Sequence, residues 1–421
     1  MHILLFVLYA GLLSFAILRI PFFRNSGLKP SVLLLLFALR IGVGCLHNLI
    51  AWRYFPNHGD IWVFFQASLD SRHELFTDFH RFVQDNSPWA YLPYNVIILT
   101  HLLFNFLSVD NLYINTLLFS FCVFGGAVAL FHAFKGLLKT GVSGAATTLL
   151  IPSTLFWTAC MLKDGVVYLL LGFFFYHLQR GITLGWTIKR VAACAALFLG
   201  ATFFRGNMLV TLLPALLLWR AVMVRRRVRM IISVLAAAVL ILIILLPTLH
   251  TGILQYLADR QKEFQSLEGH SRLSLPWLSP TLAGLWQVLP YAALNGCLGP
   301  LPGAGGQPIY LAASVELILI WALVLMASGY LIATRPSLRS SLPPGSPAPG
   351  FCLCCLFFAL SGMLLIGYTI PFAGTIVRYR SVFLPFLLAP ALFVLRRFPF
   401  FEKLDNGLGR LILRQAPGGT N

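Results

Sequence analysis

Acidic side chains are scarce in this sequence: Asp and Glu number 13 among 421 residues, against 31 Lys and Arg, and charged residues of both signs make up only 10%. Soluble domains carry roughly a quarter charged residues. With hydrophobic residues at 58%, too little polar surface remains to face water, which excludes a soluble globular protein. Apolar stretches of about 18 to 25 residues recur, the length that crosses about 30 Å of hydrocarbon as a helix. The chain reads as an all-α polytopic membrane protein, a single integral membrane domain over 1–421. It is expected to have about 11–13 transmembrane helices, with interfacial helices in its outer loops.

Other absences narrow the class. Met1 to Ile20 has no basic leading region and no small-residue cleavage site, so it is expected to be a retained span and not a removed signal peptide. No soluble basic domain stands behind the net charge of +18, so nucleic acid is not an expected partner. Lys and Arg cluster instead at span ends, most densely at Arg220, Arg225, Arg226, Arg227 and Arg229, as positive-inside orientation and anionic lipid require. Most cysteines lie inside apolar runs and Cys297 alone is clearly in a loop, so no structural disulfide is expected. Cys352, Cys354 and Cys355 have the spacing of a metal cluster but no His or acid nearby, and read as apolar packing.

Candidate spans fall at 1–20, 31–52, 88–108, 111–133, 142–160, 165–180, 191–204, 207–220, 230–250, 308–333, 351–371 and 381–396, interrupted by polar insertions at 53–87 and 251–307. Basic residues set the orientation. The 220–229 cluster, the Pro/Ser/Gly-rich linker at 334–350 and the tail 397–421 are expected to be cytoplasmic, which puts 251–307 and the short loop around Arg378 outside. Lys135, Lys139, Arg180, Lys189 and Arg190 then fall inside, with Lys163, Asp164 and Arg205 near the outer face. The stretch 191–220 reads as a tight hairpin of short or tilted helices. At the front, Arg19, Arg24 and Lys29 put 53–87 outside, and a full crossing by 88–108 would reverse every later loop. That segment, which opens SPWAYLPYN, is therefore expected to be re-entrant or interfacial, unless a span elsewhere is misplaced.

The acids that do occur gather in the outer loops: Asp60, Asp70, Glu74, Asp78 and Asp85 in the first, Asp259, Glu263 and Glu268 in the second. Apolar residues at helical spacing between Ile61 and Phe82 predict amphipathic surface helices. Most of these acids read as solvated groups, although Glu74 with Asp78 and His73 with His80 also have a spacing that would serve a metal. Asp60 differs. It follows His58-Gly59 within about one turn of a span end, among Trp62, Phe64 and Phe65, and reads either as a general base held at the interface or as a solvated span-end aspartate. Lys163 and Asp164 interrupt a long apolar run, so they face a polar cavity or mark a turn. Glu316 lies deepest in a span and should be neutralised or paired. Arg205 and the pair Arg378 and Arg380 suit either bidentate phosphate recognition or snorkelling to headgroups.

Together these features resemble the GT-C-type integral membrane glycosyltransferases that use polyprenyl-phosphate sugars. His58-Gly59-Asp60 with its amphipathic sequel is similar to that family's early outer-loop acid, and SPWAYLPYN to the segment leading into the next span. IPSTLFWTACMLKD, ending in Asp164, looks like the family's proline-marked span with a second acid. GTIVRYRSVFLPFLLAP resembles its late arginine-tyrosine-proline span. The likeness runs over 60–380 and departs in an additional leading span and the lack of a DxD pair. It implies a general base at Asp60 and a donor-phosphate site at Arg205 or at Arg378 and Arg380. Asp164 is expected to orient acceptor or metal, with His58, Lys163 and Tyr379 as further substrate contacts.

The expected reaction moves a sugar from a polyprenyl-phosphate-linked donor to an envelope glycan, lipid or protein acceptor at the non-cytoplasmic face of a bacterial inner membrane, among membrane lipid, with the need for a divalent cation open. A polymerase or ligase of lipid-linked polysaccharide would share the arginines without needing Asp60 as base. A flippase or transporter would call for internal repeats and polar residues inside several spans, of which Glu316 is the one identified.

Overall fold

The computed structural model describes residues 1–55, 58–85, 92–223, 247–269, 271–302, 308–340 and 346–414. The arginines at 225–229, most of the expected span 230–250 and the linker positions 341–345 lie outside the described residues. Those described form nineteen α-helices and one π-helical turn, with no β-strand beyond two isolated antiparallel bridges. The chain is an all-α polytopic integral membrane protein. Among the described residues five helices are long and apolar enough to cross a bilayer, or seven if each of two bent pairs counts as one span. Other expected spans appear as shorter apolar helices, among them Pro93–Ser108 and Asn207–Met223.

The helices divide into two compact units, Met1–Gly206 with Lys403–Asn421, and Asn207–Glu402. The first holds α1 (His2–Arg19), α2 (Pro21–Arg24), α3 (Pro30–Tyr54), α4 (Gly59–Thr77), α5 (Phe79–Asp85), α6 (Leu92–Ser108), α7 (Leu112–Leu138), α8 (Val142–Leu149), α9 (Pro152–Thr158), α10 (Lys163–Leu184) and α11 (Ile188–Phe204). Its axis is α7, buried along most of its length and N-capped by Asn111, whose side chain accepts from the backbone N–H of Tyr113 and Ile114. Alongside it, α10 comes close enough that a Cβ on Gly172 would lie 2.0 Å from the carbonyl oxygen of Gly126. Only glycine permits that approach, the small-residue packing that serves apolar helices where lipid supplies no hydrophobic drive.

From Arg40 onward, after the buried Leu33 and Phe37, the usual amphipathic order of α3 is inverted. Arg40, Gly44, His47, Asn48 and Ala51 recur at helical spacing on its buried face, whereas Leu35, Leu39, Leu46 and Leu49 are exposed. Asn48 donates to Thr116 Oγ1 near the start of α7 (2.8 Å). At the other end of the unit, Lys135 near the end of α7 donates to the Ser26 carbonyl just before α3 (2.9 Å). The two helices are therefore antiparallel, and the end of α3 lies at the same end of the unit as the start of α7. The described residues between them, 58–85 and 92–111, are joined to that end. Hydrogen bonds from Asn105 of α6 to Ser68 of α4 (2.9 Å) and from Asn115 of α7 to Asn105 (2.6 Å) hold the excursion together.

The stretch expected as one span over 142–160 is instead two short helices. Pro152 can donate no backbone hydrogen bond, and the preceding Ile151 is extended, so α8 cannot continue into α9. A second break follows at 159–162, where α9 and α10 meet at 111°.

The second unit holds α12 (Asn207–Met223), α13 (Pro247–Gln265), α14 (Leu282–Ala293), a π-turn (Leu294–Leu298), α15 (Pro308–Ser340), α16 (Ala348–Thr369), α17 (Ala373–Arg380) and α18 (Leu384–Leu395). The final helix, α19 (Pro399–Ile412), begins in this unit and belongs from Lys403 onward to the first. The buried amide of Gln261 ties the long loop together: its Nε2 donates to the carbonyls of Pro276 (3.1 Å) and Tyr368 (3.0 Å), and its Oε1 accepts from Leu278 N (2.7 Å). Arg378, Tyr379 and Arg380, expected in a short loop, stand on α17, which bends by 56° into α18.

Candidate functional site around the broken helix

The break between α9 and α10 concentrates the polar groups of the first unit. At the closing end of α9, orphan carbonyls need donors. Arg40 of α3 donates to the backbone oxygen of Thr158 (2.5 Å) and to its Oγ1 (2.9 Å), and Ser120 of α7 donates to the carbonyl of Ala159 (2.7 Å). A cation at a helix C-terminus also opposes the negative end of the macrodipole. Arg40 is 2% exposed and makes no ion pair among the described residues. Sequence reasoning passed over this residue, although a lone arginine midway along an apolar span is itself a signal.

Across the break, Asp164 lies in the first turn of α10, where the macrodipole favours a carboxylate. Its side chain is 0% exposed and forms an ion pair with Arg205, which follows α11 and is 10% exposed. Two of the sequence candidates are thus brought into direct contact. Lys163 points its ammonium at the ring of Tyr94 on α6, 3.1 Å from the centroid, a cation–π contact.

The remaining candidates of this unit belong to the same end. His58 has a left-handed backbone (φ 60°), its Nδ1 lies 2.8 Å from the Trp52 carbonyl, and its ring stacks on Trp52 at 3.9 Å. Asp60 is exposed in the first turn of α4. Between these residues and the break runs an aromatic wall: Trp52 against Trp62 (4.7 Å), Phe55 against Trp157 (6.2 Å), and His47 between Phe156 (4.6 Å) and Trp157 (5.3 Å). Among the described residues no three His, Cys, Asp or Glu side chains converge as metal ligands. Two acids of the first loop pair locally, Glu74 with Arg81 (3.5 Å) and Asp85 with Arg81 (3.3 Å), and Arg72 of that loop pairs with Asp110 before α7.

In the second unit, Arg380 is 1% exposed and donates to the carbonyls of Gly296 (3.4 Å) and Gly299, within the field of Glu316. Its guanidinium anchors the end of the long loop. Arg378 and Tyr379 are half-buried, the guanidinium 5.9 Å from the Tyr379 ring centroid and that ring edge-on to Phe264 at 6.4 Å. Burial pushes the Cys297 thiol up, against the opposing charge of Arg380. A hydrogen bond to the Tyr256 hydroxyl, together with Glu263, holds Arg260 above its ordinary value.

No protein-family model, no curated protein and no solved structure matches this chain.

Proposed function

We propose that the chain is a membrane glycosyltransferase that takes a sugar from a polyprenyl-phosphate-linked donor and passes it to an acceptor hydroxyl of an envelope glycan, lipid or protein, at the non-cytoplasmic face of a bacterial inner membrane. The observation that carries this reading is the buried Asp164–Arg205 pair at the α9–α10 break, at the same end of the unit as the exposed carboxylate of Asp60. Asp60 takes the proton of the acceptor hydroxyl as its oxygen attacks the anomeric carbon. The bond from that carbon to the donor phosphate breaks, and the departing phosphate is met by Arg205, held in place by Asp164, and by Lys163. Arg380 of the second unit serves the loop carbonyls, which leaves Arg378 as that unit's own, alternative candidate for donor phosphate.

Membranes containing the wild-type chain, Asp60→Asn or Arg378→Ala should be supplied with radiolabelled polyprenyl-phosphate sugars. Loss of a positioned base costs about 10²–10⁴-fold in rate, and full activity of Asp60→Asn would remove that assignment.

A second reading, transport of a lipid-linked glycan, is favoured by one observation: the break between α9 and α10, with a cation at the C-terminal end of one helix and a carboxylate at the N-terminal end of the other, has the discontinuous-helix form with which transporters build ion and substrate sites. Translocation of a fluorescent lipid-linked glycan by proteoliposomes that transfer no sugar would select it.

A further inference from the structure

Residues 403–414, expected as part of a plain cytoplasmic tail, are built into the first unit. The backbone N–H of Lys29 donates to the Ile412 carbonyl (2.9 Å) and that of Arg414 to the Gly27 carbonyl (2.8 Å), and Leu28 and Leu413 form an antiparallel bridge. Lys29 Nζ donates to the Arg410 carbonyl (2.7 Å), and Asp405 Oδ1 accepts from the backbone N–H of Ser143 (3.1 Å). These partners follow the end of α1, precede α3 and follow the end of α7, three helices of membrane-crossing length. The segment therefore sits at the level where those helices leave the hydrocarbon.

At about 100° per residue, Asp405, Gly409 and Ile412 fall on the side turned to the unit. Leu404, Leu408 and Leu411 follow on one flank, all exposed, and Lys403 and Arg410 lie on the far side. Segments 19–29, 135–143 and 403–414, which meet here, hold eight Lys and Arg against one acid, Asp405. An apolar flank, a basic back and a fixed level at span ends describe a helix seated at the boundary of headgroups and acyl chains. The surplus of cations selects the charge of what it meets.

We propose that residues 403–414 dock this end of the protein onto an anionic lipid surface, with the leucine flank at the acyl boundary and Lys403 and Arg410 on headgroup phosphates. The full chain carrying Leu411→Trp should be reconstituted in phosphatidylcholine vesicles containing a minority of acyl-brominated phosphatidylglycerol, or of brominated phosphatidylcholine at the same fraction. The emission of the unsubstituted protein is subtracted. The added indole is expected to be quenched, and more strongly by the brominated anionic lipid. Lys403→Gln with Arg410→Gln should remove that preference, a loss on the order of tenfold in relative lipid association, while leaving quenching itself in place. Absence of quenching, the result a protein partner or a second copy covering this flank would give, overturns the proposal, and so does equal quenching by the two headgroups.

Discussion

Asp164 and Arg205 form an ion pair between side chains 0% and 10% exposed, and that makes them separable only at a cost. Removing one member of a buried ion pair costs about 3–5 kcal/mol, whereas replacing both with apolar groups of similar volume is often neutral. Asp164→Leu and Arg205→Leu should each lower the melting temperature of the detergent-purified protein, and the double variant should recover most of the loss. Additive losses would mean the pair is not the unit of stability. Both residues were visible in sequence as charges interrupting apolar runs, and their partnership was not, because they are far apart in the chain and only the return of α11 beside α10 joins them. Arg40 and Arg380 were harder still: each meets a backbone carbonyl, which no side-chain pattern announces.

At the scale of the element, the contact of α7 with α10 tolerates no side chain where Gly172 meets the backbone of Gly126. Gly172→Leu should force the two helices apart, at a cost of about 1–3 kcal/mol or more, seen as a lower midpoint in thermal unfolding followed by gel filtration; an unchanged midpoint would show that the crossing is loose. Gly367 of α16, where a Cβ would lie 1.9 Å from the Ala292 carbonyl, plays the same part in the second unit. Helix positions were largely legible, since apolar runs of spanning length have few other uses. The breaks were less so. Pro152 was read as a mark on a continuous span, when the missing donor and the extended residue before it divide that span in two.

At the scale of the molecule, the first unit has two chemically different ends. One gathers the cations of 19–29, 135–143 and 403–414, and the other holds Asp60, the aromatic wall and the Asp164–Arg205 pair. The described parts of the excursion between α3 and α7, 58–85 and 92–111, are tied to one end of the first unit by the hydrogen bonds of Asn105. Hydropathy alone cannot tell a helix that crosses from one that packs beside its neighbours at one end of a unit. The inverted face of α3 has a further consequence, in the order of synthesis. Its arginine must enter the bilayer before α7, α9 and their hydroxyls and carbonyls have been made, at about 2.5–3.5 kcal/mol against the leucines that favour insertion. Such a helix is a poor candidate for early release into lipid and a good one for retention beside the insertion machinery until Thr158 emerges. Stalled nascent chains ending before and after α9 should differ in crosslinking from α3 to that machinery, and Arg40→Leu should erase the difference.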